Sequence, residues 1–223
     1  MVDSLRALSL LPLNEPYTSM GFTVNGPTTT SQEVFNVSGA DAVTDWVLVE
    51  LRSSNDPAEV LETRAGLVQR DGDVVGVDGV SALCFNRASG DYHVAVLHRN
   101  HLGAMAAQPV RVGFQPAVVD LSSAGTTTYG TDARKAANGR MFLWAGNVAF
   151  DDQLKYTGGN NDRDPILSAI GGIVPTSTVS GYRLEDVNLD GVVKYSGSNN
   201  DRDPILSNIG GVVPTNVLQE QLP

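Results

Sequence analysis

Lysine is almost missing from this chain: Lys135, Lys155 and Lys194 are the only three in 223 residues. Fifteen basic residues stand against 25 acidic ones, a formal net charge of −10. The clustered cations that neutralise nucleic-acid phosphates are therefore absent, and no nucleic-acid partner is expected. A single cysteine, Cys84, excludes an intramolecular disulfide framework. Its setting, Ala82-Leu83-Cys84-Phe85, predicts a buried and inert thiol. No apolar run reaches the roughly 18 residues of a membrane helix, so no membrane insertion is expected. The apolar patch Leu8 to Leu13 lacks a basic n-region and makes a poor signal peptide, so any secretion signal lies outside this chain. Neither a Gly-rich phosphate loop nor a nucleophile elbow nor a paired acid/base motif is present, and no enzymatic activity is expected.

What is there reads first as β-structure. Trp46 to Arg52 and Asp91 to His98 are rich in strand formers, and residues 21–24, 33–37, 67–70, 110–114 and 117–121 are shorter runs of the same kind. Asp71-Gly72 carries a hairpin signal, because both residues tolerate the positive φ of a tight primed turn. Pro57 to Thr63 is the best short helix candidate. These elements predict an antiparallel, immunoglobulin-like β-sandwich over residues 1–122. A Thr-, Gly- and Ala-rich stretch then predicts a linker over 123–143. His98 and His101 are expected to point apart and to hold no transition metal. Trp46, Tyr92 and Trp144 are expected in the core, with a sugar platform as the alternative.

Residues 144–223 contain a tandem repeat. Shifted by 39, Asn147–Thr176 (147–176) falls on Asp186–Thr215 (186–215) with 20 of 30 positions identical. Duplication at this level implies one supersecondary unit used twice. The second copy opens Asp186-Val187-Asn188-Leu189-Asp190-Gly191-Val192. Oxygen side chains at positions 1, 3 and 5, with glycine at 6, match the start of an EF-hand-type calcium loop. A hard cation needs about six to eight oxygens, and alternate residues of a tight turn converge on one point. Asp186, Asn188 and Asp190 are the side-chain candidates, and Val192 offers its carbonyl. Position 12 is Gly197 and carries no carboxylate, so an insertion is inferred, with Asp201 or Asp203 closing the shell. Asp203-Pro204 predicts a helix start, and Gly210-Gly211 its end. In the first copy Asn147, Asp151, Asp162 and Asp164 are the candidates, with the carbonyl of Gln153. There Ala149 supplies no oxygen, and Asp152 must adopt what Gly191 does easily. Arg163 and Arg202 are expected to lock the paired aspartates on either side of them.

The duplicated loop-helix unit resembles dockerin type I repeats, modified by the insertions Lys155-Tyr156-Thr157-Gly158 and Lys194-Tyr195-Ser196-Gly197. More broadly, the chain resembles the C-terminal module of large secreted and cell-surface proteins of Bacteroidota. The resemblance covers nearly all of the sequence. It rests on Trp46 to Arg52, Leu67 to Asp73, His98 to Gly103, Leu143-Trp144-Ala145-Gly146, the two Asn-Asp-Arg-Asp-Pro-Ile-Leu runs and Glu220 to Pro223. Within that family the first loop usually begins like the second, so Ala149 and Asp152 are departures. The resemblance implies an extracellular or cell-surface location, two calcium sites and a non-enzymatic role. It also implies residues upstream of Met1 in related chains.

The resulting expectation is mainly β with a small α part: a sandwich joined to a dockerin-like pair of calcium-binding repeats. It would serve as an adhesion or attachment module with a protein partner or by self-association; the alternatives are a self-assembling filament or surface-array subunit and a glycan-binding module of a secreted multidomain protein. Strand addition at the termini is the expected mode of association.

Overall fold

A computed structural model describes residues 1–223. The chain is mainly β, with antiparallel sheets and three short α-helices. After helix α1 (Ser4–Ala7), six strands form one sheet: β1 (Val43–Ser53), β2 (Val60–Gln69), β3 (Val74–Val75), β4 (Gly90–His98), β5 (His101–Met105) and β6 (Val110–Val112). Their order is β3-β2-β1-β4-β5, with β6 pairing β4 beside β5. The two strongest strand signals are neighbours, with Leu48 opposite Leu97. Gly72, at φ +110°, turns the chain from β2 into β3, as its Asp-Gly sequence predicts.

The two-sheet sandwich is not what forms. All six strands lie in one sheet, and irregular chain covers it. Leu5, Leu11, Tyr17 and Phe35 pack with Trp46, Leu48, Leu67 and Leu97 in a single core cluster. Two hydrogen bonds pin this cover to the central strand: Tyr17 Oη donates to the Trp46 carbonyl (2.9 Å), and Trp46 Nε1 donates to the Pro12 carbonyl (2.9 Å). Residues 21–24 and 117–121 form no strand, and Val34–Asn36 is a 3-10 turn. The Pro57 to Thr63 helix is also replaced, because β2 begins at Val60 and Thr63 pairs with Glu50. Pairing with β1 satisfies backbone groups that a one-turn helix would leave open. Cys84 is exposed rather than buried. Strand pairing stops at the Val75–Ala82 bridge, so the cysteine segment runs on over the sheet with no layer above it.

The stretch 123–143 is folded. Strands β7 (Lys135–Ala137) and β8 (Arg140–Phe142) form a hairpin about Asn138 (φ 50°) and Gly139 (φ 74°). Arg134, itself buried, donates to the carbonyls of Leu121, Ser123 and Thr126 and gathers the preceding loop.

The repeats contribute β9 (Gln153–Lys155), α2 (Arg163–Ala169) and β10 (Thr178–Ser180), then β11 (Val192–Lys194), α3 (Arg202–Asn208) and β12 (Val217–Gln219). Counting with each copy the short strand that follows it, neither copy pairs its own strands. Strand β9 of the first pairs with β12 of the second, and β10 of the first pairs with β11 of the second. The shared core is built of equivalent residues: Val148 and Val187, Leu154 and Val193, Ile166 and Ile205, Ile170 and Ile209. Leu102 from β5 joins this cluster, so the repeat pair is seated on the sheet. The seat is made by residues 144–146, which run beside β5: Leu102 N donates to the Trp144 carbonyl (2.9 Å) and Gly146 N to the Asn100 carbonyl (2.8 Å).

Candidate metal centre

Both helices begin earlier than expected, and this decides which aspartates face the loops. Each starts at the arginine of Asp-Arg-Asp, leaving the proline third in the first turn, where its missing N–H costs nothing. The N-cap residues, Asp162 and Asp201, make no side-chain cap bond; the asparagine before each supplies it. Asn200 Oδ1 accepts from Asp203 N (3.0 Å), and its Nδ2 donates to Asp203 Oδ2 (2.7 Å). Asn161 does the same for Asp164. Asp203 and Asp164 therefore stand on the helix surface, with side chains 65% and 59% exposed. Of the four candidate aspartates in the two runs, Asp203 and Asp164 thus point away from the loops, and Asp201 and Asp162 face them.

Asp201 is fully buried. Its Oδ1 accepts from Val187 N (2.8 Å) and Asn188 N (3.2 Å), and its Oδ2 from Lys194 N (2.7 Å). One carboxylate thus ties the beginning of the second loop to its end. Inside the loop Asp186 accepts from Asp190 N (3.1 Å) and Gly191 N (2.9 Å). Asn188 Oδ1 accepts from Asp190 N (2.8 Å), and Asp190 Oδ1 from Val192 N (2.9 Å). Leu189 (φ 59°) and Gly191 (φ +87°) supply the left-handed turns that coil these residues together. Val193 packs inward as expected, with Val192 opening β11.

The first loop repeats the frame with weaker donors. Asp162 is fully buried and accepts from Ala149 N (2.9 Å) and Lys155 N (2.7 Å). Phe150 (φ 51°) takes the conformation of Leu189. Asn147 Oδ1 accepts from Asp151 N (3.1 Å), but its Nδ2 donates back to the Asp151 carbonyl (2.6 Å). Asp151 Oδ1 accepts from the N–H of Gln153, the first residue of β9. Asp152 does not adopt the left-handed conformation of Gly191, contrary to expectation.

Burial dominates the electrostatics. It lifts the Asp201 carboxyl to about 7 and the Asp162 carboxyl to about 6, and it raises Asp186 too. Neighbouring carboxylates push the same way, Asp186 on Asp201 and Asp190 on Asp186, although the Gly191 N–H and Arg99 pull Asp186 down. The outward aspartates have cations: Asp164 pairs with Arg163 (3.0 Å) and Asp203 with Arg202 (3.6 Å). No ion pair is made by Asp186, Asp190 or Asp201. The arginines therefore pair with one aspartate of each run, and they lie 5.2 and 5.1 Å over Tyr156 and Tyr195 of the insertions.

As a fit to calcium, the donor set is entirely oxygen, as a hard cation requires. The second loop brings three carboxylates and an amide oxygen, the first two carboxylates and an amide oxygen. No three acidic, histidine or cysteine side chains converge at metal-ligand spacing. Most of the loop oxygens instead receive backbone N–H bonds, each leaving a further lone pair.

Other residues take unforeseen places. His98 and His101 pair across the β4–β5 turn with their rings 4.5 Å apart, edge to face, rather than pointing apart. Between them Arg99 and Asn100 are fully buried and reach the repeat pair, a role not apparent in the sequence. A cleft of about 400 Å³ separates the first loop from the sheet, with Asn147, Asp151 and Asp152 on one wall and Glu50 and Arg52 on the other. Trp46 is buried, while Trp144 Nε1 is tied to the Asp132 carbonyl and Tyr92 Oη to that of Ala88. These aromatics form no common platform. Comparison with protein-family models, curated proteins and solved structures returns no match for this chain.

Proposed function

We propose that this chain is a non-enzymatic, calcium-binding attachment module of a secreted or cell-surface protein, with a dockerin-like repeat pair held together by calcium. The observation that carries this reading is the contrast within Asp-Arg-Asp. The exposed aspartate of each run has an arginine, whereas the buried one has only backbone donors and other carboxylates. Buried like charges without a counter-ion are costly, and a divalent cation removes that cost. The second loop, with three carboxylates, is the stronger site. The first, with a neutral asparagine in the leading position, is the weaker.

Attachment through protein contacts is favoured by a duplicated surface feature. Ile173 and Val212 occupy equivalent positions in the two copies, and both are 87% exposed. Each follows a Gly-Gly pair at positive φ, whose second N–H is bonded to the preceding helix at 2.8 Å. Two fixed apolar tips of this kind suit a protein surface better than a glycan. Self-assembly would use the same tips against a second copy. Strand β12 is already paired with β9 within the chain, so strand addition there is not the favoured mode.

The test is calcium titration of the chelator-stripped chain, followed by sedimentation with and without the metal. Binding of calcium by the wild-type chain, with the tighter site weakened to the level of the first loop or below in Asp186→Asn, supports the metal assignment. Calcium-dependent growth in size selects self-assembly, and a calcium-bound monomer selects a foreign partner.

A further inference from the structure

The seat of the repeat pair on the sheet touches the second loop directly. Asn100 is fully buried, and its Nδ2 donates to the carbonyls of Leu184 (2.9 Å) and Asp186 (2.8 Å). Beside it Arg99 donates from Nε to Asp45 (3.1 Å) and from Nη1 to the Arg183 carbonyl. Its guanidinium lies 4.3 Å over Tyr182, whose hydroxyl donates to the same Asp45 (2.6 Å). From another side Leu8 and Leu10 close on Gly191, where an added Cβ would lie 2.9 and 2.7 Å from their methyls. The backbone of Asp186 is thus held by the sheet, while its carboxylate serves the loop. The first loop has no matching backbone hydrogen bonds from the sheet; Phe22 packs edge-on against its Phe150 (5.7 Å), and the loop borders the cleft.

We propose that Asn100 is a positioning residue for the second loop, coupling metal occupancy of that loop to the docking of the repeat pair on the sheet. The inference rests on the calcium reading of that loop. Without a cation, buried Asp186 and Asp201 repel each other, and half-buried Asp190 adds to the repulsion on Asp186. Arg99 offsets this only in part, so the loop gains by opening to water. Opening carries the Leu184 and Asp186 carbonyls away from Asn100 and loosens the seat. A bound cation fixes Asp186 and returns its carbonyl to Nδ2. Such coupling is reciprocal: whatever factor calcium adds to docking, docking adds to calcium affinity.

The test uses the full chain, stripped of metal, with calcium affinity measured by calorimetry and docking by amide hydrogen exchange in β5 and residues 182–187. In the wild type, calcium is expected to slow exchange in both segments. Asn100→Ala is expected to bind calcium about tenfold more weakly, the loss of two hydrogen bonds, and to lose the calcium effect on β5. Gln69→Ala is the control for a purely structural contact, since buried Gln69, at the end of β2, donates to the carbonyls of Asp41 and Gly79 (3.1 Å each) and touches neither the seat nor the loop. It is expected to lower the melting temperature and leave calcium affinity within about twofold. Wild-type affinity in Asn100→Ala overturns the proposal, and so does wild-type binding that leaves β5 exchange unchanged. That second readout decides the matter even if Asn100→Ala fails to fold. A wild-type chain that binds no calcium overturns this inference together with the calcium reading, so the two failures are told apart by the first titration.

Discussion

Gly191 is the residue on which the second loop turns. Its φ of +87° is strained for any side chain, and a Cβ there would also meet Leu8 and Leu10 below 3 Å. Gly158 has a similar φ, +95°, with open space around it. Gly158→Ala is therefore expected to cost about 1–2 kcal/mol, the conformational term alone. Gly191→Ala is expected to cost about 3 kcal/mol or more, with overpacking added. Denaturant unfolding of both variants measures the difference, and equal costs would contradict the packing described. Asp45 makes a second prediction. Its buried carboxylate, held by Arg99 and His98 at 3.1 Å, is kept far below the usual carboxylate range by the Arg99 guanidinium and by its hydrogen bonds to His98 and Tyr182, acting against burial. A carboxyl whose folded pKa is depressed adds stability above its unfolded value near 3.8, and that stability is lost as pH falls below it. The wild type should lose stability progressively on acidification below about pH 4. Asp45→Asn should be less stable by about 3–5 kcal/mol at pH 7 and should show a shallower acid loss. At this scale the sequence identified the loop oxygens by spacing but left Asp201 and Asp203 equivalent. They stand two residues apart, and only the starting register of α3 turns one inward and the other to solvent.

At the scale of elements, the duplicated units exchange strands, which makes each repeat incomplete without the other. The β9–β12 and β10–β11 pairs cross between copies, and Leu154 and Val193 lie at their centres, fully buried. Leu154→Ala is expected to cost about 2–5 kcal/mol and to loosen both copies together. Amide exchange should accelerate in β11 as well as in β9, and acceleration confined to the first copy would contradict the shared core. The repeat was legible because identity at a fixed shift needs no knowledge of packing. The strand exchange was not, since nothing local says which partner a three-residue strand will choose. Asn138-Gly139 was legible in principle as a primed hairpin turn, yet its surroundings are too short and polar to stand out as strands. The sandwich expectation failed for a different reason. Strand β1 is buried on both faces, which in sequence implies two layers, but the cover is irregular chain with no period to read.

For the whole molecule, the acid surplus has a location. Nine of the 25 acids fall between Asn147 and Asp203, eight of them aspartates in or beside the two loops. Two bound calcium ions would bring the formal net charge from −10 to −6. The repeat core is small, a cluster of nine buried residues including one from the sheet, so metal binding should carry much of its folding energy. Chelation is then expected to lower the melting temperature and to open residues 144–223 to protease before the sheet. The central claim, that the second loop is a calcium site, is tested most directly by calorimetric titration of calcium into the stripped chain beside its Asp186→Asn variant. At least one calcium bound per wild-type chain, with the tighter site weakened to the level of the first loop or below in the variant, is the predicted result; a wild-type chain that takes up no calcium at millimolar concentration would contradict it.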